Sequence, residues 1–291
     1  MRLANLGGRA VLLTDGTAID VESASGGRFA ADPTSLYRRW DEFRSWADGV
    51  RNVAGEPVEP ASLGPPVPEP RQVFGIGLNY GAHAAESGVG VPAEPAVFTK
   101  FPTCIAGPVG DVALPDGDSR VDWEIELVVV IGRTARDVPA SRAWEHVAGL
   151  TAGQDLSERT MQFAGPVPQF SLGKSHPGFG PTGPCLVTPE EFDDPDDLRL
   201  RSSLNGECVQ DGRTGQMVLP VAELVARLSR TVTLLPGDLI FTGTPEGVGF
   251  ARQPPRYLAP GDELVSDVEG IGELRQRVVE PRSTRNGTSH V

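Results

Sequence analysis

The sequence predicts a mainly β fold with some helix, an α+β chain, and three observations predict it. Short strand-like runs dominate after residue 72. Gly- and Pro-rich turns divide them, including "PGD" at 236–238 and again at 260–262. Regular strand–helix alternation is absent, which argues against a doubly wound parallel sheet. A mixed, mainly antiparallel sheet fits these features.

In chain order, "RLANLGGRAVLL" reads as a hairpin and "DPTSLYRRWDEFRSWADG" as one capped helix. Asp32 is its expected cap and Pro33 its first helical residue. Leu36, Trp40, Phe43 and Ala47 follow helical spacing and form one apolar stripe. Residues 55–72 hold six prolines in eighteen positions, which favours extended backbone over helix or central strand. The expected organisation is therefore a small N-terminal α/β domain (1–54), a Pro-rich linker (55–72), a catalytic domain (73–280) and a flexible tail (281–291). Within the catalytic domain the strand runs are "QVFGIGL", "AVFTKF", "VDWEIELVVVIG", "RLRSSLNGECV", "DLIFTGT" and "ELVSDVEGIGELRQRVV". Helices near "SRAWEHVAG" and "LPVAELVARLSRTV" interrupt them.

The 291 residues include 26 Lys+Arg and 39 Asp+Glu, a formal charge of −13. That balance argues against nucleic acid or an anionic membrane as partner, while leaving room for a small anionic substrate in a locally positive site. No apolar run approaches the ~20 residues that span a bilayer, and the start of the chain does not read as a signal peptide. Cys104, Cys185 and Cys208 are an odd number without C-x-x-C spacing. They point to reduced thiols in a cytoplasmic protein rather than to disulfides or zinc. "NGT" at 286–288 matches a glycosylation acceptor that such a location leaves without use.

The run "VDWEIELVVVIG" (121–132) sets two acids into an apolar strand. Alternation puts Glu124 and Glu126 on one face, in a partly dry space. Buried like charges must be protonated, paired with cations or bound to a metal. Asp155, in "AGQDLSERTMQ" after the expected helix at 141–148, is a third acid; such an Asp is ordinarily a cap or turn former. Three oxygen donors suit Mg²⁺, Mn²⁺ or Ca²⁺ and leave positions open for water or substrate.

In "GIGLNYGAHAAESG" (75–88), Tyr80 stands where a dinucleotide loop would need its third glycine. His83 and Glu86 are three apart and share a face if this segment is helical. A carboxylate beside an imidazole orients it as a general base, although an exposed surface pair would look the same in sequence. Lys174, in "SLGKSHPGFGPTGP", is either a solvated loop charge or an oxyanion partner. Thr244, in "FTGTPEGVG", offers donors to an anion, and the glycines there equally serve a tight turn.

"GLNYGAHAAE", "VDWEIELVVVIG", "GQDLSERTMQ", "LGKSHPGFGPTGP" and "FTGTPEGVG", in this order across residues 71–279, resemble the successive motifs of the fumarylacetoacetate hydrolase family. The resemblance implies a mixed β-roll catalytic domain, a Mg²⁺-type ion (Mn²⁺, or Ca²⁺ in a crystal), a homodimer, and a lid around 79–92. It places metal ligands on Glu124, Glu126 and Asp155. The water-activating pair falls on His83 and Glu86, the lysine on Lys174, and substrate contacts on Tyr80, Arg159, Gln162 and Thr244. The implied reaction cleaves a carbon–carbon bond in a 2-oxo or 1,3-dicarbonyl acid through an enolate stabilised by the ion. Decarboxylation of an oxaloacetate-type acid and keto–enol isomerisation of a hydroxydienoate use the same site; a non-catalytic metal-binding scaffold is the contrasting reading. This chain departs from the family at Glu158-Arg159-Thr160 and Ser175-His176-Pro177. His176 is there either a local substrate contact or a loop-surface position.

Overall fold

The computed structural model describes residues 1–14, 16–50 and 55–281. Two mixed sheets form the fold, one of twelve strands and one of five, with a short two-stranded pair between Val121–Asp122 and Ser157–Glu158. The large sheet is centred on Ile125–Ile131, flanked antiparallel by Val147–Gln154 and Leu239–Phe241. The five-stranded sheet runs Glu207–Arg213, Arg199–Leu204, Glu263–Val268, Gly272–Val279 and Val109–Ala113. The mainly β expectation with some helix holds.

The central strand is buried along its whole length and alternates between two cores. Ile125, Leu127, Val129 and Ile131 pack with Leu200, Val268 and Leu274 of the second sheet and with Leu224 and Leu228 of the helix Val221–Thr231. Val128 and Val130 pack with Leu36, Trp40 and Phe43 on the other side. A strand covered on both faces reads as a continuous apolar run, which is why this segment shows no polar alternation.

The N-terminal hairpin Arg2–Leu6/Arg9–Thr14 forms as expected and joins the large sheet by pairing Arg2 with Val187 and Leu3 with Leu186. The single helix expected after it is two: Pro33–Tyr37, capped by Asp32 through Thr34 N–H at 3.0 Å, and Trp40–Ala47. The stripe survives the break, with Leu36, Trp40, Phe43 and Ala47 all buried. The proline-rich segment holds two short strands, Glu56–Pro57 and Leu63–Gly64, around a 3₁₀ turn at Pro60–Ser62, and Leu63–Gly64 pairs with Asn5–Leu6. Residues 51–54, at the boundary expected near 54, lie outside the described residues, as do residues 282–291 of the expected tail.

Two readings of the sequence need correction. "VDWEIELVVVIG" is not one strand: Val121–Asp122 pairs elsewhere and the long strand starts only at Ile125. The expected helix at 141–148 is a 3₁₀ segment, Ala140–His146, followed directly by the strand Val147–Gln154. That strand hides behind "VAGLTAGQ", whose glycines weaken the β pattern. They are needed there, because a Cβ on Gly149 would stand 2.5 Å from Leu186 Cδ2. Among the described residues no helix is long and apolar enough to cross a membrane.

Candidate active site

The register of the two central strands assembles the acids. Ile125 pairs with Gln154 and Glu126 with Gly153, so Glu124 and Asp155 leave the ladder side by side, joined by Asp155 N–H to Glu124 O at 2.9 Å. Carboxylate oxygens of Glu124, Glu126 and Asp155 all lie within 4.8 Å of one another, and all three residues are buried. Around an octahedral ion at ~2.1 Å, ligand oxygens stand about 3 Å apart when adjacent and about 4 Å when opposite. The trio therefore suits a hard divalent cation in donor type, and its oxygens lie close enough together to close on one ion. The oxygen-only set excludes a zinc–thiolate arrangement at this position.

Three cations share this space with four acids. Arg159 Nη2 donates to Asp122 Oδ2 at 2.8 Å and Glu124 Oε1 at 2.6 Å. Lys174 Nζ donates to Glu124 Oε2 at 2.7 Å and Asp155 Oδ2 at 2.6 Å. Lys100 Nζ donates to Asp155 Oδ1 at 2.7 Å. Among the described residues Glu126 accepts only a backbone N–H, from Gly243 at 2.7 Å. Its electrostatics follow: burial and the carboxylates of Asp155 and Glu124 push the Glu126 carboxyl well above the usual range. Burial would raise Glu124 too, but Lys174 and Arg159 outweigh it and hold that carboxyl low. Burial likewise opposes the Lys174 charge, and Asp155 and Glu124 more than restore it, so the ammonium stays protonated. With three cations against four acids, the unbalanced acid is Glu126, which this environment favours in its neutral form until a dication would balance its charge.

Two glycines explain the "FTGTPEGVG" motif. Gly243 has φ +99°, and a Cβ there would stand 2.8 Å from Asn79 Cβ and 3.0 Å from Ile76 O. Gly247 has φ +104°, and a Cβ would meet Val209 O at 2.1 Å. Both conformations favour glycine, and each aims an N–H at a site carboxylate: Gly243 at Glu126, Gly247 at Glu86 Oε2 (2.9 Å).

The helix Gly81–Glu86 brings His83 Nδ1 to 2.8 Å from Glu86 Oε1. An ionised carboxylate only accepts, so Nδ1 carries the hydrogen and Nε2 is the nitrogen left for chemistry. Just before the helix, Leu78 takes φ +59°, a conformation that costs free energy outside glycine. The Asn79 side chain holds this turn, donating to Leu219 O and Thr242 O at 3.0 and 2.8 Å.

His83, Glu124, Glu126, Arg159, Gln162, Lys174 and Thr244 all line one cavity of about 200 Å³. Glu86 supports His83 from behind. The short helix Arg159–Gln162 points two of these side chains inward, and Arg159 Nη1 donates to Gln162 Oε1 at 2.9 Å. Its cap is Glu158, which lies in one of the two stretches where the chain departs from the family pattern. Burial would raise that carboxyl, but N–H donors of Arg120, Met161 and Thr160 hold it below the usual range.

Three expected contacts need adjustment. Tyr80 is buried and does not line the cavity; its phenol pKa is raised by burial and by the nearby Glu126. Thr244 reaches the cavity, yet its hydroxyl donates to Ile125 O and accepts from Gln210 Nε2, both at 2.8 Å. His176 faces a different cavity with Asp111 and Asp116, its ring 5.0 Å from that of Phe179.

Lys100, Asp122, Gln154 and Gln210 were not singled out from the sequence. Asp122 lies inside the run that raised the question and accepts from Gly249 and Phe250 N–H besides Arg159. Gln154 and Gln210 accept the N–H groups of Glu124 and Ile125 where the strand breaks. A lone lysine ending the apolar run "AVFTKF" was the available signal for Lys100.

Residues 72–279 match the family model described as fumarylacetoacetate (FAA) hydrolase C-terminal. The human mitochondrial oxaloacetate tautomerase FAHD2A is 40% identical over 277 residues, 91% of this chain and 88% of that protein. A solved structure from Mycobacterium smegmatis is 56% identical with TM-score 0.91, covering 96% of this chain and 99% of that one. Maleylpyruvate hydrolase from Sphingobium sp. SYK-6, solved with manganese(II) and pyruvate, is 29% identical with TM-score 0.81, covering 97% and 100%. On this evidence the chain belongs to the fumarylacetoacetate hydrolase family and is an enzyme of that family.

Proposed function

We propose that the protein interconverts the keto and enol forms of a small 2-oxo carboxylic acid, with His83 moving the proton and a divalent cation beside it. The observation that carries this reading is the placement of the Glu86-oriented imidazole on the same cavity wall as Glu124 and Glu126, two of the three clustered acids. A divalent cation held by Glu124, Glu126 and Asp155 would supply Lewis-acid stabilisation of negative charge on the substrate's oxygens.

His83 Nε2 takes a proton from the carbon next to the 2-oxo group and delivers it to that group's oxygen, giving the enol; in the reverse direction it takes the enol proton and returns it to the carbon. Glu86 fixes the tautomer and favours the imidazolium that forms in between. The protonated Lys174 stabilises the oxygen that gains charge. Arg159 and Gln162, already tied to each other, orient the carboxylate of the acid. The apolar wall limits water around these groups, which strengthens each of these interactions.

Hydrolytic carbon–carbon cleavage is the second reading. It uses the same nitrogen to deprotonate water, and the family neighbour named as a maleylpyruvate hydrolase favours it. One assay separates the two. The purified protein with Mg²⁺ or Mn²⁺ is given freshly dissolved enol-form 2-oxo acids, and enol absorbance and product mass are followed together. Faster enol loss with unchanged mass supports tautomerisation; appearance of cleavage products supports hydrolysis. Neither effect with any 2-oxo acid would sink both.

A further inference from the structure

We infer that the substrate carries an apolar, ring-sized group beyond its 2-oxo acid head, rather than a second carboxylate. This rests on the proposed enol chemistry and names its substrate class. The cavity lining is of two kinds. His83, Glu124, Glu126, Arg159, Gln162 and Lys174 supply polar groups, and Phe98, Phe163, Phe170 and Phe250 with Val89 and Pro168 supply apolar surface.

The four rings come as two pairs. Phe98 and Phe170 meet edge to face with centroids 5.5 Å apart, and Phe163 and Phe250 lie tilted at 6.1 Å. They bracket a space into which an apolar or aromatic group fits by area burial and ring–ring contact. About 200 Å³ in all exceeds the ~150 Å³ that accommodates benzene in an engineered apolar cavity.

Charge argues the same way. Besides His83, the only cationic side chains among the described lining residues are Arg159 and Lys174. Arg159 already serves Asp122 and Glu124, and Lys174 serves Glu124 and Asp155. Both lie between the acids and the rings, with Arg159 4.5 Å from the Phe250 ring centroid and Lys174 5.0 Å from that of Phe98. A second carboxylate among the rings would have to compete with Asp122, Glu124 and Asp155 for these two cations. An aryl or branched aliphatic tail meets no such cost.

The test compares two enols with the same head: phenylpyruvate, with a ring at carbon 3, and oxaloacetate, with a carboxylate there. Each is assayed with Mg²⁺ or Mn²⁺ for enzyme-catalysed enol loss above the spontaneous rate. The expected kcat/KM favours phenylpyruvate by at least about tenfold, the scale on which apolar pockets discriminate. Phe163→Arg, a substitution at a half-exposed ring that opens no core, should shrink that ratio or invert it. Equal or better turnover of oxaloacetate by the unmodified enzyme would overturn the inference while leaving the enol chemistry standing. A ratio unmoved by Phe163→Arg would also count against it. Turnover of neither acid would remove the chemistry and the inference together.

Discussion

Lys100 Nζ donates to Asp155 Oδ1 at 2.7 Å in a pair with no solvent exposure on either side chain. Lys174 holds the other oxygen of the same carboxylate, so Asp155 is fixed from two directions before any cation arrives. Removing one member of a buried pair leaves its partner uncompensated, typically at about 3–5 kcal/mol. Lys100→Met should therefore lower the unfolding free energy of the metal-free protein by about that amount, read from urea denaturation. A loss below about 1 kcal/mol would show that the pair contributes little.

The pH dependence follows from Glu126 and Glu124, which carry opposite signs. The Glu126 carboxyl is raised in the folded state by burial and by Asp155 and Glu124. Its contribution is present below the ordinary carboxylate pKa and is lost as pH climbs through the raised value. Glu124 is depressed because Lys174 and Arg159 outweigh burial, so its contribution is lost as pH falls through that lower value. In EDTA the Tm should fall on both sides of a mildly acidic maximum. With Mg²⁺ or Mn²⁺ the decline on the alkaline side should diminish, because a cation binds the deprotonated form. A Tm–pH profile identical with and without the cation would contradict this assignment.

Gly243→Ala should both destabilise and impair the site. The added methyl at φ +99° meets Asn79 Cβ at 2.8 Å, and strain of this kind costs about 1–3 kcal/mol. Any relief by backbone movement displaces the N–H that Glu126 accepts. The expected outcome is a lower Tm together with weaker Mn²⁺ binding. A variant with unchanged Mn²⁺ affinity would show that this N–H does not position Glu126.

His83→Ala and Glu86→Gln should separate proton movement from cation binding. Neither residue belongs to the acidic trio, so Mn²⁺ affinity should stay within a few-fold. Enol conversion should fall by about 10²–10⁴ for His83→Ala, the usual worth of a positioned general base. Glu86→Gln should cause a smaller fall, since the amide still bonds to the ring but without its charge. Full activity in His83→Ala would place the base elsewhere.

The central strand was legible because the five-residue apolar run at 127–131 has few alternatives to burial on both faces. The ends of that run were not. Glu124 reads as a strand residue in sequence, yet the ladder breaks at Trp123 because Asp122 turns to Arg159 and the N–H groups of Gly249 and Phe250. Those partners lie 37 and more than 120 residues away, beyond any local pattern. The trio was grouped by donor chemistry and assigned as ligands by the family motifs, since nothing in the local sequence around Asp155 says that its strand lies beside that of Glu124. Lys100 and Gln154 stayed hidden for the same reason: a single buried polar residue reveals its role only through non-local contacts. The strand Val147–Gln154 was obscured by glycines that its close packing requires.

The most direct test of the central claim is Mn²⁺ binding followed by electron paramagnetic resonance, in the unmodified protein and in Glu126→Gln. The account predicts one tight site per chain in the former and an affinity at least about tenfold weaker in the latter, where an acidic ligand is replaced by a neutral one. Equal Mn²⁺ affinity in the two proteins, or no bound Mn²⁺ in the unmodified one, would contradict it.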